Sequence, residues 1–196
     1  MTGIPIGVLA SGRGSNFAAL VRGDTSPGFV RVLLTDDPEA PALALARDMG
    51  VEGEYIYPGP RRTCFDVASE KEWAQFLLER GVELVCLAGL MRVLKGPLID
   101  AFPGRILNIH PSLLPSFPGL DAQGQAIRYG VKVSGCTVHY VDRGVDTGPI
   151  LLQTPVRVKP TDDREVLSRR ILDAEHLLYP RAVKLHLQSA LSKRLN

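Results

Sequence analysis

Short apolar runs alternate with helix-like segments along the first half of the chain, and this alternation restricts the possible folds more than any other feature. The apolar runs predict buried strands over residues 6–10, 29–34, 51–57, 84–88 and 106–109. Strands that are apolar on both faces and alternate with helices form parallel sheets covered by helices on two sides. The sequence therefore predicts an α/β fold.

The pattern changes in the second half of the chain. Residues 131–141 and 150–158 form two longer strand-like runs around a Gly-rich turn, which predicts an antiparallel addition to the sheet. A helix is predicted from about Asp162, and Pro180 is expected to break or kink it because proline lacks the backbone donor and clashes with the preceding turn. With no internal repeat and no linker, we expect one domain over residues 1–196, a Rossmann-like three-layer sandwich with a mostly parallel sheet and an antiparallel C-terminal addition.

Two helix boundaries carry clear end signals. Residues 40–49 have helical periodicity and stop at Gly50, a favourable residue just past a helix end. Residues 69–72, Ser-Glu-Lys-Glu, match a capping box, so a second helix is predicted to start at Ser69 and to bury Trp73.

Composition excludes several classes of protein. The 196 residues include 23 Lys and Arg against 21 Asp and Glu, for a net charge of +2. This balance argues against a protein that coats nucleic acid or an anionic membrane. No apolar run approaches the roughly 18 residues of a membrane helix, and the N-terminus lacks a signal-peptide pattern. We therefore expect a cytoplasmic protein.

The cysteines and histidines do not predict a metal site. Cys64, Cys86 and Cys136 are odd in number and far apart, which fits neither a disulfide framework nor a zinc knuckle. No Cys/His cluster is present, so we expect no metal.

Glycine and proline gather in loops that follow predicted strands. Residues 11–16, Ser-Gly-Arg-Gly-Ser-Asn, join the first strand to the first helix, where backbone N–H groups and the helix N-terminus can bind an anion. Gly12 and Gly14 match the start of a dinucleotide-binding fingerprint, but Phe17 replaces its third glycine. A single phosphate group is therefore favoured over a dinucleotide, and a tight turn without a ligand remains the alternative.

The fifth strand ends in two polar residues. Asn108 and His110 are two positions apart, so their side chains share one face of the strand, and a Pro-rich loop (residues 111–119) follows. Ligands of open α/β sheets bind at the carboxyl ends of the strands. These residues are candidates for a binding or catalytic site.

Five segments together resemble one known family. Residues 108–115, Asn-Ile-His-Pro-Ser-Leu-Leu-Pro, resemble the signature of folate-dependent formyltransferases, and residues 146–150, Asp-Thr-Gly-Pro-Ile, resemble its second signature. Residues 87–94 resemble the folate-pocket segment of that family. Residues 11–16 and 175–180 extend the resemblance over essentially the whole chain.

The resemblance implies a reaction and three catalytic residues. A formyl group would pass from N10 of the co-substrate 10-formyltetrahydrofolate to the primary amine of glycinamide ribonucleotide, a step of purine biosynthesis. Asn108 and His110 would stabilise the oxyanion of the tetrahedral intermediate. Asp146 would favour the charged form of His110 and orient a water that relays the proton. His139, on a predicted strand, is either structural or part of the site.

The resemblance also assigns the substrate contacts. Gly14, Ser15 and Asn16 would hold the ribonucleotide phosphate, and Glu175 the ribose hydroxyls. The pterin and folate contacts would come from the folate segment, which is Met91, Arg92, Val93 and Leu94, together with Asn108, and the Arg92 side chain would face the folate carboxylate.

Four arginines are further candidates for contacts with the phosphate or with the folate tail. Arg169 and Arg170 either add charge near the phosphate or form a solvated helix surface. Family members often carry an arginine near the folate tail where this chain reads Cys-Phe-Asp-Val-Ala (residues 64–68), and Arg61 and Arg62 are possible replacements.

Other functions stay open as alternatives. A tRNA formyltransferase or a formyltetrahydrofolate hydrolase shares the fold, but we expect extra domains in both. A non-catalytic folate or nucleotide binder would not need Asn108, His110 and Asp146 together. A nicotinamide-dependent enzyme would use Asp36 or Asp37 for the ribose. We expect only small-molecule substrates as partners, no nucleic acid or membrane, and a monomer or homodimer.

Overall fold

The computed structural model describes residues 3–195, with side chains described as far as residue 192. Its strands are β1 (Ile4–Leu9), β2 (Gly28–Thr35), β3 (Glu52–Tyr55), β4 (Leu84–Leu87), β5 (Ile106–His110), β6 (Val133–Tyr140) and β7 (Ile150–Arg157). Its helices are α1 (Ser15–Arg22), α2 (Pro41–Asp48), α3 (Val67–Glu79), α4 (Pro97–Ala101), α5 (Ala122–Tyr129) and α6 (Arg164–Leu195).

All seven strands form one mixed sheet in the order β3-β2-β1-β4-β5-β6-β7. Strands β1 to β5 pair in parallel, whereas β6 pairs antiparallel with both β5 and β7. The predicted α/β class, the Rossmann-like layers and the antiparallel addition are confirmed.

Helices cover both faces of the sheet. Helices α1, α2, α5 and α6 contribute Phe17, Ala46, Ala126 and Ile171 to one buried apolar cluster. Helices α3 and α4 contribute residues such as Trp73 to the second cluster, on the other side of the sheet. Trp73 is fully buried, as predicted. The burial of apolar area on both faces explains why the central strands read as continuous apolar runs.

The strand order reverses between β1 and β4, which lie side by side at the centre of the sheet. The loops after these two strands leave the sheet in opposite directions, and such a switch point opens a crevice at the carboxyl ends of the strands. Residues 11–14 follow β1 and residues 88–96 follow β4, so the two glycine-containing segments singled out in the sequence flank this crevice.

The predicted capping box is wrong. Helix α3 begins at Val67 with Asp66 as its N-cap, and the Ser69 backbone N–H donates to Asp66 Oδ1 over 2.8 Å. Asp66 is as good an N-cap as serine, and it lies three residues earlier. Glu70 is therefore inside the first turn and fully buried.

Of the break or kink predicted at Pro180, the break is wrong, because α6 runs from Arg164 to Leu195 with Pro180 inside it. Pro180 is buried against α1, where a Cβ at Gly23 would lie only 2.6 Å from the proline ring. This close packing offsets the hydrogen bond that the helix loses at proline. Gly50, by contrast, ends α2 in the left-handed conformation as expected, with φ 67°.

Helices α4 and α5 have no counterpart in the sequence-based prediction. Both are short, and α4 has only five residues. Within residues 3–195, no helix combines the length and the apolarity needed to cross a membrane.

Candidate active site

The carboxyl end of β5 carries Asn108 and His110 on one face of the sheet. Strand β6 runs antiparallel beside it, so that His139 lies opposite Asn108 and Thr137 lies opposite His110. Residues directly opposite each other on neighbouring strands have adjacent side chains. Four polar side chains therefore share this corner of the sheet.

Asp146 reaches the same corner from the loop between β6 and β7. Its Oδ2 lies 3.3 Å from His110 Nδ1 and accepts the Gly119 backbone N–H over 2.8 Å, and its Oδ1 lies 3.6 Å from His139 Nε2. Asp146 holds a left-handed backbone conformation, with φ 56°, which is uncommon outside glycine. The structure thus brings together the three residues that the sequence predicts to be catalytic.

Both ring nitrogens of His110 face acceptors. Nε2 lies 2.9 Å from the Phe117 carbonyl oxygen, which can only accept, and Nδ1 faces the Asp146 carboxylate. A neutral imidazole carries one N–H and could satisfy only one of these acceptors. The arrangement therefore complements the doubly protonated, positively charged ring.

The Asp146 carboxyl group is held in its ionised form. Partial burial acts to raise its pKa, but the hydrogen bond with His139, the Gly119 N–H and the charge of His110 together lower the pKa below its ordinary value. A carboxylate with these partners remains negative throughout the physiological range.

His139 lies in the site, which the sequence left undecided. Its Nδ1 is 2.9 Å from the Tyr140 carbonyl oxygen, so Nδ1 carries the proton and donates to that oxygen. Nε2 lies 3.2 Å from Asn108 Nδ2 and 3.6 Å from Asp146 Oδ1, so it accepts from Asn108 in the neutral ring and donates to Asp146 in the charged ring. The neutral ring thus orients the Asn108 amide and leaves its second N–H for another acceptor.

The Pro-rich loop after β5 is held by buried hydrogen bonds from the antiparallel strands. Thr137 Oγ1 donates to the Ser112 carbonyl over 2.7 Å and accepts the Leu114 N–H over 3.0 Å. Gln153 Nε2 donates to the Leu114 carbonyl over 2.9 Å. Because Phe117 lies in the same loop, these bonds also restrain the carbonyl that faces His110.

Helix α1 begins at the crevice, directly after the loop that follows β1, and its N-terminus has no side-chain cap. Gly14 is the N-cap of α1 in the left-handed conformation, with φ 76°, and it offers no capping side chain. The first N–H groups of a helix need acceptors from outside the helix, and an anion is a suitable one. Gly14 and Ser15 therefore lie where a phosphate group can bind.

Asn16 and Glu175 form a buried pair beside this N-terminus. Asn16 Nδ2 donates to Glu175 Oε2 over 2.8 Å, and both residues are more than nine-tenths buried. Burial raises the pKa of Glu175 to about 7, although the hydrogen bond from Asn16 lowers it. Tyr179, one turn after Glu175 on α6, has its hydroxyl 2.9 Å from the Leu87 carbonyl oxygen, which ties this part of the helix to the centre of the sheet.

The folate segment is anchored mainly through its backbone. The Met91 N–H donates to Ser11 Oγ over 2.9 Å, and the Val93 N–H donates to the Thr63 carbonyl over 2.9 Å. Met91 is 63% exposed, while Leu94 is buried. The segment therefore presents an apolar surface at the crevice on a fixed backbone.

Arg92 has a partner within the protein. Its Nε lies 2.5 Å from Asp36 Oδ2, and it also donates to the Arg61 carbonyl. The Arg92 side chain is 13% exposed and that of Asp36 only 8%. The guanidinium thus has a structural partner other than the predicted folate carboxylate. The same ion pair leaves Asp36 poorly suited to bind the ribose of a dinucleotide.

The remaining arginine candidates divide into two groups. Arg170 forms a two-point ion pair with Asp162, so its guanidinium already has a partner within the protein. Arg169 is exposed. Arg61 and Arg62 are exposed on the loop that contacts the folate segment, so they remain candidates for the folate tail.

Among the residues with described side chains, no group of three or more His, Cys, Asp or Glu is arranged to hold a metal ion. The corner itself supplies hydrogen-bond donors, a carboxylate and two imidazoles.

A family profile described as formyl transferase matches residues 5–183, which is nearly the whole chain. The chain belongs to the formyl transferase family. The match includes both signature segments, the folate segment and the loop at the start of α1.

Solved structures agree with this family membership. The chain superposes on a glycinamide ribonucleotide transformylase from Symbiobacterium toebii with a TM-score of 0.90 and 49% identity, covering 95% of this chain and 89% of that one. It is also similar to a phosphoribosylglycinamide formyltransferase from Bacillus halodurans, with a TM-score of 0.87 and 40% identity over 95% of this chain and 96% of that one.

Two of the sequence relatives differ widely in length. A phosphoribosylglycinamide formyltransferase of Bacillus subtilis is 42% identical over 90% of this chain and 91% of its own length. A trifunctional purine biosynthetic protein of Drosophila pseudoobscura pseudoobscura is 44% identical over 96% of this chain. This formyl transferase chain spans only 14% of that longer relative.

Proposed function

We propose that the chain transfers the formyl group of 10-formyltetrahydrofolate to the amine of glycinamide ribonucleotide. The products are formylglycinamide ribonucleotide and tetrahydrofolate, in de novo purine biosynthesis in the cytoplasm. The observation that supports the proposal most strongly is the convergence of Asn108, His110 and Asp146. This group lies at the same edge of the sheet as the loop at the start of α1 and the folate segment. The names of the full-length relatives point in the same direction.

The first step needs a stabilised oxyanion. The amine attacks the formyl carbon directly, and the carbonyl oxygen becomes negatively charged in the tetrahedral intermediate. The second N–H of Asn108 and the positive ring of His110 would stabilise this oxygen. Because Nε2 of His110 already has an acceptor in Phe117, its N–H must be shared with the oxyanion or transferred to it.

The second step moves a proton from the attacking amine to N10 of the folate. Asp146 is negative and its Oδ2 lies 3.3 Å from His110 Nδ1, so it would orient a water between the two nitrogens. Neither a nucleophilic side chain nor a covalent enzyme intermediate is required.

The ribonucleotide would lie across the start of α1. Backbone N–H groups at Gly14, Ser15 and Asn16 would hold its phosphate, and Glu175 would accept hydrogen bonds from the ribose hydroxyls. Among the described residues none donates to Asn16 Oδ1, which leaves a buried acceptor beside Glu175 for the same sugar.

The folate would lie on the other side of the crevice. Backbone groups of the folate segment, from Met91 to Leu94, would form hydrogen bonds with the pterin ring. Asn108 would contact the formyl group of the folate. Arg92 would act through its backbone, since Asp36 holds its side chain.

Gly14 gives a test of the phosphate site. In Gly14→Ala, the new Cβ would lie 2.9 Å from the Ala42 Cβ, and the residue would keep an unfavourable positive φ. The N-terminus of α1 must therefore shift, and we expect KM for the ribonucleotide to rise by about tenfold or more. KM for the folate should change less than about twofold. Initial-rate kinetics with each substrate varied in turn measures both.

Gly50→Ala is the matched control for that variant. Gly50 also has positive φ, but a Cβ there meets no atom within 4 Å. It should lose similar stability from the backbone strain while KM for the ribonucleotide stays normal. If Gly14→Ala raised only the folate KM, the two binding sites would have been assigned the wrong way round.

Glu175 gives a test through pH. Its pKa is raised from 4.5 to about 7 in the folded protein, so the stability it contributes is fully present below pH 4.5 and is lost as the pH rises through 7. Relative to Glu175→Gln, the wild type should therefore lose up to about 3 kcal/mol of unfolding free energy between pH 4.5 and pH 8. Urea denaturation of both proteins across this range measures the difference.

The functional cost of Glu175→Gln should appear separately from its stability. We expect a higher ribonucleotide KM above pH 7, where the wild-type carboxylate is ionised and accepts the ribose hydroxyls most strongly. The exposed Glu72, changed to Gln, serves as the control for both measurements. A stability difference between wild type and Glu175→Gln that does not vary with pH would contradict the assignment of a buried, proton-binding Glu175.

The function as a whole is tested by omitting one substrate. The protein is mixed with 10-formyltetrahydrofolate, and folate deformylation is followed by absorbance with and without glycinamide ribonucleotide. Deformylation should require the ribonucleotide. Equal rates with and without it would identify a hydrolase instead, and no deformylation under either condition would favour a non-catalytic binder.

A further inference from the structure

A buried carboxylate outside the catalytic corner contacts the end of the folate segment. Glu70 lies in the first turn of α3 and has no exposed surface. Its Oε2 accepts the Lys95 N–H over 2.5 Å, and its Oε1 accepts the Gly96 and Leu98 N–H groups over 3.1 and 3.0 Å.

We propose that Glu70 is a positioning residue for folate binding. It fixes the backbone at the carboxyl end of the folate segment from outside the crevice. The inference rests on the proposed function, because it assumes that this segment binds the folate. Glu70 itself lies outside the crevice and acts only through the residues that it holds.

The contacts of the segment explain why its carboxyl end needs such an anchor. Its beginning is tied to Ser11 through the Met91 N–H, and its middle pairs with residues 63–65 through the backbone of Val93. After Leu94 the chain turns sharply into α4, whose N-cap is Gly96 with φ 135°. Glu70 holds the chain at this turn, one residue beyond the folate segment.

The chemistry of the site calls for a carboxylate. Gly96 has no side chain to cap α4, so the N–H groups at the start of this helix need acceptors from elsewhere. Three backbone donors converge on Glu70, two of them in fully buried hydrogen bonds, and a carboxylate is the side chain that offers acceptors on both of its oxygens. An amide of the same shape would place an NH₂ group against at least one N–H.

A ring that is recognised by backbone groups is sensitive to small displacements of that backbone. Side chains can rotate to follow a shifted ligand, whereas backbone N–H and C=O groups move only with the chain. A shift at Lys95 should therefore affect folate binding at residues 91–94 while leaving Gly14 and Asn16, across the crevice, in place.

Glu70→Gln tests the inference. The variant can keep the Gly96 and Leu98 contacts through its carbonyl oxygen, but its NH₂ then faces the Lys95 N–H. We expect KM for 10-formyltetrahydrofolate to rise by about tenfold, the factor that corresponds to one charge-assisted hydrogen bond. Both kcat and KM for the ribonucleotide should stay within about twofold of wild type.

Two further variants make the result specific. Glu72→Gln changes the exposed glutamate two residues along the same helix and should leave all constants unchanged. Glu70→Asp keeps an acceptor-only group on a shorter side chain, and it should give a folate KM between those of wild type and Glu70→Gln.

Several outcomes would overturn the inference. A normal folate KM in a folded Glu70→Gln, or an equal rise in the KM of both substrates, would show that Glu70 does not act on the folate site. Failure of both Glu70 variants to fold, judged by thermal unfolding, would assign Glu70 to stability alone. A wild-type protein that transfers no formyl group would instead refute the proposed function on which the inference rests.

Discussion

His110→Ala should lower kcat by about 10³-fold or more, the combined size expected for a lost oxyanion donor and a lost proton-transfer group. The positive ring of His110 is the charge nearest to the developing oxyanion in the proposed mechanism, and alanine offers neither charge nor donor. Affinity for the ribonucleotide should stay within about twofold, because the start of α1 and Glu175 do not contact this ring. Steady-state kinetics and calorimetric titration of the ribonucleotide measure the two quantities.

His186→Gln is the matched control for this variant. His186 lies on α6 with its Nδ1 3.0 Å from the Tyr140 hydroxyl, away from the polar face of β5. Its kcat should remain close to that of wild type. A near-normal kcat in His110→Ala would remove the role assigned to His110, whatever the affinities.

Asp146→Asn should lower kcat by about 10²- to 10³-fold. Asparagine can still accept the Gly119 N–H, so the loop should remain in place while the negative charge beside His110 and His139 is lost. Without that charge the His110 ring loses the negative group beside its Nδ1, and the proposed water loses its charged acceptor.

The Asp146 carboxyl group does not itself titrate in the assay range, because its pKa lies below its ordinary value and the carboxylate is ionised throughout pH 6–9. The pH–rate profile of the wild type should therefore show no ionisation of Asp146 between pH 6 and pH 9. The exposed Asp48, changed to Asn, should leave kcat unaltered. If Asp146→Asn retained most of its turnover, the proton relay would have to be assigned to other groups.

Local sequence patterns were sufficient to predict the sheet and two residues of the candidate site. Apolar runs mark strands because burial on both faces leaves few polar positions, and Asn108 and His110 stand out as polar residues at the end of such a run. Asp146 could be added only through the family signature. No spacing rule places a residue 36 positions further along the chain against His110.

Contacts between distant segments could not be predicted in the same way. Glu70 lies within the segment that matches a capping box in sequence, but Asp66 caps the helix and Glu70 turns inward to residues 95–98. Arg92 had the charge expected of a folate contact, yet Asp36 at the end of β2 pairs with it. For Glu70 and for Arg92, two local interpretations were chemically reasonable. Only the packing of α3 and of the end of β2 beside the folate segment decides between them.

The sequence contained only a weak indication that His139 belongs to the candidate site. It alternates with other buried residues of β6, which is equally typical of a core position and of a site residue. The register with β5, which places it opposite Asn108, resolves the question. That register follows from the antiparallel pairing of β6, which was predicted, but not from any feature of His139 itself.

The fate of the formyl carbon tests the central claim most directly. 10-Formyltetrahydrofolate labelled with ¹³C in the formyl group is incubated with the protein and glycinamide ribonucleotide, and the products are followed by NMR and mass spectrometry. The proposed function predicts that the label appears on the amine of the ribonucleotide, in step with the formation of tetrahydrofolate. Label that appears as free formate, with the ribonucleotide unchanged, would contradict it.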